Sequence, residues 1–121
     1  MIRWLNEKEK ESTVVLYPTN LTLNSRAAIP FETAYRVMIG VDEEGNLILC
    51  PLGKDVVDRG VYDASSIYPI ASHKSYARIS NTSLMSIIAE ELGLDLSAGP
   101  VKMKAKWDGE KHYLIASRKE A

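Results

Sequence analysis

Residues 101–107 alternate apolar and charged side chains strictly ahead of a turn, and this pattern most restricts what the chain can become. Val101, Met103, Ala105 and Trp107 hold one parity, and Lys102, Lys104 and Lys106 hold the other. A period of two puts the four apolar residues on one face of a strand and the lysines on the opposite face. Asp108-Gly109 is a turn signal, and Lys111 to Ala116 returns as a second strand. A two-residue loop would set Lys106 opposite Lys111, a repulsive pair. A three-residue loop through Glu110 sets Tyr113 beside Ala105 and Ile115 beside Met103, which suits one buried face better and is the expected register.

The residues ahead of this hairpin read clearly. Tyr76-Ala77-Arg78-Ile79 is a short strand, and Asn81 or Thr82 can cap a helix through a side-chain oxygen. Leu84, Ile87, Ile88 and Leu92 then share one helical face, Gly93 ends the helix, and Leu94 folds back onto it. Gly99-Pro100 is a second break. In the first half, Thr13 to Tyr17 is a strand bounded by Pro18, and Leu21-Thr22-Leu23 continues the alternation. Arg26-Ala27-Ala28-Ile29-Pro30 reads as a short strand ending at a helix-start proline. Residues 30–40 fit helix or strand, and the expectation is one helical turn near 30–35 followed by a hairpin over 36–50.

These elements divide the chain into a β-rich half at 13–52, a connector at 53–72 with a short helix near 55–59, and a strand-helix-hairpin half at 73–117. Ala27-Ala28-Ile29 and Ala77-Arg78-Ile79 lie 50 residues apart, so an internal duplication is the simplest account. Each half is too small to bury its own apolar faces, so the expected fold is one β-rich α+β domain spanning 1–121, with the two hairpins packed together.

Composition narrows the function. With 121 residues, 45% hydrophobic and 26% charged, the chain has the make-up of a folded domain. The net charge of −1 excludes a protein that adheres to any polyanion. Residues 1–70 carry 7 basic and 10 acidic groups, and residues 71–121 carry 8 and 6, so an anion-binding face is expected in the second half. Cys50 is the sole cysteine, which excludes a disulfide scaffold and a cysteine zinc site. The opening residues lack a signal-peptide shape and no apolar run approaches membrane-span length, so no membrane association and a cytoplasmic location are expected. The mixed charges at 6–11 read as a solvated terminus, and Trp4 and Trp107 as core anchors.

No constellation supports catalysis, and no cofactor is expected. His73 and His112 are 39 residues apart without metal-ligand spacing, and Asp42-Glu43-Glu44 lacks the later ligands of a calcium loop. Leu52-Gly53-Lys54-Asp55 lacks the earlier glycine and the hydroxyl of a phosphate-binding loop, and no nucleophile elbow is present.

Ser25-Arg26-Ala27-Ala28-Ile29-Pro30 resembles the Gly-Arg-x-x-Ile-Pro signature of AbrB-like and MraZ-like swapped-hairpin proteins, with Ser in place of the usual Gly. Ala77-Arg78-Ile79-Ser80, the helix ending in Leu92-Gly93-Leu94, and the hairpin around Asp108-Gly109 resemble the MazE variant, without its proline. The similarity covers roughly 20–52 and 73–117. It implies two swapped-hairpin halves that form one pseudo-two-fold barrel, and a DNA-binding transcriptional regulator whose partner is double-stranded DNA, with a homodimer as a further expectation. A non-catalytic protein-interaction or assembly module on the same scaffold is the alternative, motivated by the net charge and the acidic 42–44 turn.

The resemblance places Arg26 at the signature arginine, with Asn24 and Ser25 beside it. Arg26 otherwise pairs with a carboxylate such as Glu32, and Asn24 and Ser25 otherwise serve the turn. His73, Lys74, Ser75, Tyr76 and Arg78 combine charges, a titratable ring and hydroxyls on a loop entering a strand, groups suited to phosphates and base edges. An ordinary polar loop with Tyr76 packed inward fits the same residues. Lys102, Lys104 and Lys106 form either a phosphate-contacting stripe or the solvated face that alternation alone produces.

Overall fold

A computed structural model describes residue 2 and residues 11–118. Trp4 and the charge run, apart from Glu11, lie outside the described residues. Among the described residues, nine strands make a single antiparallel sheet that curls into a half-barrel. In chain order they are β1 (Thr13–Leu16), β2 (Asn20–Asn24), β3 (Arg36–Val41), β4 (Leu47–Leu52), β5 (Ile67–Tyr68), β6 (Ala71–Ser72), β7 (Tyr76–Ser80), β8 (Val101–Asp108) and β9 (Tyr113–Arg118). Three helices accompany them: α1 (Ser25–Ala28), α2 (Lys54–Asp58) and α3 (Thr82–Leu92). Short 3-10 turns follow α1 at Ile29–Phe31 and α3 at Leu96–Ala98.

The spatial order of the strands is β5-β3-β4-β9-β8-β1-β2-β7-β6. Its edge strands, β5 and β6, are separated in the chain only by Pro69 and Ile70, so both edges meet at one corner. Neither hairpin folds back onto its own half. β8 pairs with β1, β3 pairs with β5, and β4 pairs with β9 across the middle. Residues 20–52 run strand, helix, 3-10 turn, hairpin, and residues 76–118 repeat that order.

Strand parity builds the core. Val14, Leu16, Leu21, Leu23, Val37, Leu47, Leu49, Ala77, Ile79, Met103, Leu114 and Ala116 are all buried and interleave as one cluster with Phe31. Burying this set removes apolar surface from water, the main drive for closing the sheet. α3 covers the core with Leu84, Met85, Ile88 and Leu92. Asn81 caps it by accepting the Leu84 N–H at 2.9 Å, and Gly93 ends it at φ +67°.

Several expectations need correction. The strand expected at 26–29 is helical: Asn24 accepts the Ala27 N–H and starts α1, which runs into the proline-bearing 3-10 turn. The helical turn expected near 30–35 therefore lies earlier. The proposed match of 27–29 with 77–79 fails for the same reason, since one segment is helix and the other strand, whereas β2 and β7 do occupy matching places. Ile87 points to solvent at 55% exposure, and Met85 takes its place on the buried face of α3.

The 101–116 hairpin adopts neither expected register. Asp108 opposes Tyr113 and Ala105 opposes Ala116, across a four-residue loop. The Asp108 carboxylate accepts the N–H groups of Glu110 and Lys111, each at 3.1 Å, and His112 takes φ +61°, which together hold the longer loop. The shift is odd, so Leu114 and Ala116 are buried where Tyr113 and Ile115 were expected. The 53–72 connector holds more than the expected helix, because β5 and β6 close the sheet within it.

Candidate functional site

The outward face of four neighbouring strands, β7-β2-β1-β8, collects most of the polar residues singled out above. Leu21 and Leu23 point inward, so Asn20, Thr22 and Asn24 of β2 point out. The same parity turns Tyr76 and Arg78 outward on β7 and the three lysines outward on β8. Registers align them. Arg78 opposes Thr22, Thr22 opposes Val15, and Val15 opposes Lys102, which makes one row across the sheet. At ~4.8 Å per strand that row spans ~14 Å from Arg78 to Lys102. Tyr76, Asn24, Thr13 and Lys104 form the neighbouring row.

At the β7 end the side chains stack. The His73 and Tyr76 rings lie 4.5 Å apart at 21°, and the Arg78 guanidinium sits 5.2 Å from the Tyr76 ring centre. A cation held against an aromatic face keeps its charge while its swing is restricted. The tight turn beneath is closed by the His73 N–H donating to the Tyr76 carbonyl at 2.8 Å, which leaves Lys74 and Ser75 exposed at the tip. Tyr76 and Arg78 line an open cleft of about 480 Å³ with Tyr17, Asn20 and Thr22. The last three carried no signal in the sequence, because their position depends on β2 lying beside β7.

The other candidates have different surroundings. Asn24 is committed to the fold. Its Oδ1 accepts the N–H groups of Ala27 at 2.9 Å and Thr13 at 3.2 Å, and its Nδ2 donates to the Glu11 carbonyl at 2.7 Å. Ser25 and Arg26 lie on α1 and are half-buried. Arg26 lines a separate open groove of about 460 Å³ with Ser12, Ile29, Pro30 and Trp107, and this groove shares no residue with the Arg78 cleft. Lys104 forms an ion pair with Glu11 at 3.1 Å, an exposed contact worth under about 1 kcal/mol. Lys102 and Lys106 are exposed on the same face.

One further cation–aromatic cluster was not foreseen. Arg36 lies over the Tyr35 ring at 4.2 Å and donates to the Tyr35 carbonyl at 2.8 Å, with the Lys54 ammonium 5.4 Å from the same ring. Lys54 is tied to Asp58 at 2.6 Å, which raises its pKa above the ordinary lysine value.

The acidic 42–46 turn is organised internally. Asp42 accepts the Asn46 backbone N–H at 2.8 Å and the Asn46 amide at 3.0 Å, and these bonds hold its carboxyl below the usual range. Burial pushes the Cys50 thiol above its ordinary value, which disfavours the reactive thiolate. Among the described residues, no group of three or more His, Cys, Asp or Glu is arranged to hold a metal ion, and no helix is long and apolar enough to cross a membrane.

No protein-family model matches the chain, and no curated protein or solved structure matches it either.

Proposed function

We propose that this chain is a non-catalytic, DNA-binding transcriptional regulator of the AbrB/MazE/MraZ-like swapped-hairpin type, which holds double-stranded DNA against the outward face of β7, β2, β1 and β8. The observation that carries this reading is the cross-strand row from Arg78 through Thr22 and Val15 to Lys102, with Lys104 and Lys106 continuing along β8 and Lys74 at the adjoining turn. Cations spread over a polar, gently curved sheet suit a row of phosphates, and each neutralised phosphate releases a condensed counterion. The Thr22 hydroxyl and the Asn20 amide between them add groups for sugar or base edges. The pairing of hairpin strands between the halves, with β8 on β1 and β9 on β4, supports the swapped-hairpin reading of the fold.

Binding to a genomic fragment pool, measured at low and at physiological salt, tests this. Affinity should fall steeply with salt, and Arg78→Ala with Lys102→Ala should make the log–log slope shallower by about two, near one for each phosphate that is no longer neutralised. Both side chains are at the surface, so the melting temperature should hardly move. A pool with no retained fragment, or a slope the double variant leaves unchanged, removes the reading.

One observation favours an interaction module instead. The groove beside Arg26 exposes Ile29 at 56%, next to Pro30 and the half-buried Trp107. A protein captured in pull-downs through this groove and lost in Ile29→Glu, with no duplex retained, would support that alternative, and a strict monomer with no co-purifying protein would remove it.

A further inference from the structure

The pairing of β2 with β7 is symmetric about Thr22 and Arg78, the middle pair of five. Reading both strands forward from their preceding turns aligns Tyr17 with His73, Pro18 with Lys74, Asn20 with Tyr76 and Thr22 with Arg78. The turns agree in detail. The Tyr17 N–H donates to the Asn20 carbonyl at 2.8 Å, as the His73 N–H does to the Tyr76 carbonyl.

The hairpins align as well. Ile48 faces Ile115 across β4 and β9, Gly40 opposes Ile48, and Lys106 opposes Ile115. Asp42 and Asp108 then coincide, and each carboxylate accepts the N–H two residues ahead, of Glu44 and Glu110. In this alignment Arg36, Met38 and Gly40 of β3 stand where Lys102, Lys104 and Lys106 stand on β8.

The two equivalent faces therefore share a backbone plan and differ in charge. The second-half positions hold Lys74, Arg78, Lys102, Lys104 and Lys106. Their first-half equivalents are Pro18, Thr22, Arg36, Met38 and Gly40. The comparison is five cations against one; Arg36 lies over Tyr35 much as Arg78 lies over Tyr76, and Lys104 is paired with Glu11. The first-half hairpin also ends in Asp42-Glu43-Glu44, which repels phosphate.

We infer that the cations of β7 and β8, and not the equivalent positions of β3, contact phosphate, and that the duplex segment read is non-palindromic despite the two-fold plan of the fold. This rests on the DNA-binding reading above. Two-fold operators mirror two-fold proteins because both halves make the same contacts. Here the backbone repeats but the contacting side chains do not.

Titration with a short random-sequence duplex and selection from a randomised duplex pool test the inference together. Lys102→Ala with Lys106→Ala should make the salt slope shallower by about two, and Arg36→Gln should leave it unchanged. Gly40→Lys adds a cation to the first-half face, where an added Cβ meets no atom within 4 Å. It too should leave the slope unchanged, because that face stays off the duplex. The selected motif should lack a dyad. A steeper slope in Gly40→Lys, a shallower slope in Arg36→Gln, or a palindromic motif overturns the inference while DNA binding stands. Failure of the wild-type chain to hold any duplex removes the DNA-binding reading itself, and this inference with it.

Discussion

Phe31→Ala is expected to lower folding stability by about 3–5 kcal/mol, a large fraction of the ~5–15 kcal/mol that holds a domain together. Phe31 is fully buried and ends the 3-10 turn after α1. Its ring meets Trp107 of β8 edge-on, with centroids 6.3 Å apart, and Trp107 in turn meets His112 at 5.2 Å. The Ser72 hydroxyl donates to the Phe31 carbonyl at 3.3 Å, which ties β6 to the same point. Phe31 thus meets β8 through its ring and β6 of the connector through its carbonyl. Truncation removes the transfer free energy of an aromatic ring and leaves a cavity that walls drawn from both halves cannot readily close. Urea unfolding should show the midpoint falling with little change in slope. A destabilisation below about 1 kcal/mol would mean that Phe31 is no anchor and that the surroundings collapse around the gap.

Phe31 also marks where the sequence pattern was readable and where it was not. β1, the hairpin expected over 36–50 and α3 with a cap at Asn81 or Thr82 and its Gly93 stop follow from strand-forming residues, alternation, helical spacing and terminal residues, all signals carried within one segment. α1 does not, because four residues make little more than one turn and display no period. The apolar Ala27-Ala28-Ile29 run then passes for strand, although Asn24, three residues ahead of Ala27-Ala28, was a usable helix-start signal. β5 and β6 are two residues each, too short to alternate. The β8–β9 register depends on the Asp108 carboxylate gathering two N–H groups, and the Asp-Gly pair suggests a shorter loop.

The candidate site divides along the same line. His73 to Arg78 is a contiguous polar stretch, so it stands out by itself. Its union with Lys102 and Lys104 needs the strand order β7-β2-β1-β8, a non-local fact. Tyr17, Asn20 and Thr22 join the cleft through the β2–β7 pairing, which no local pattern specifies. Asn24 and Arg26 stand together in the sequence motif, and in the fold one is a bracket and the other lines a separate groove.

Asn24→Ala should therefore cost about 2–4 kcal/mol in stability and leave the salt dependence of the proposed DNA binding untouched. Removing a helix cap costs ~0.5–2 kcal/mol. The same oxygen also satisfies the N–H of Thr13, a residue only 8% exposed, and an unsatisfied buried donor adds ~1–3 kcal/mol. The amide donates to the Glu11 carbonyl as well, so one side chain fastens the start of β1 to the end of β2 and the beginning of α1. Asn24→Asp separates these parts. It keeps both acceptor interactions and gives up the donor to Glu11, so it should recover more than half of the stability that alanine removes. Thermal melts of the three proteins give the stabilities, and duplex titrations at temperatures where all are folded give the slopes. A shallower slope in Asn24→Ala at full occupancy of the fold would make Asn24 a direct partner of DNA. An unchanged slope with a lowered melting temperature makes it the clasp that holds the β1–β2 hairpin under the proposed binding face.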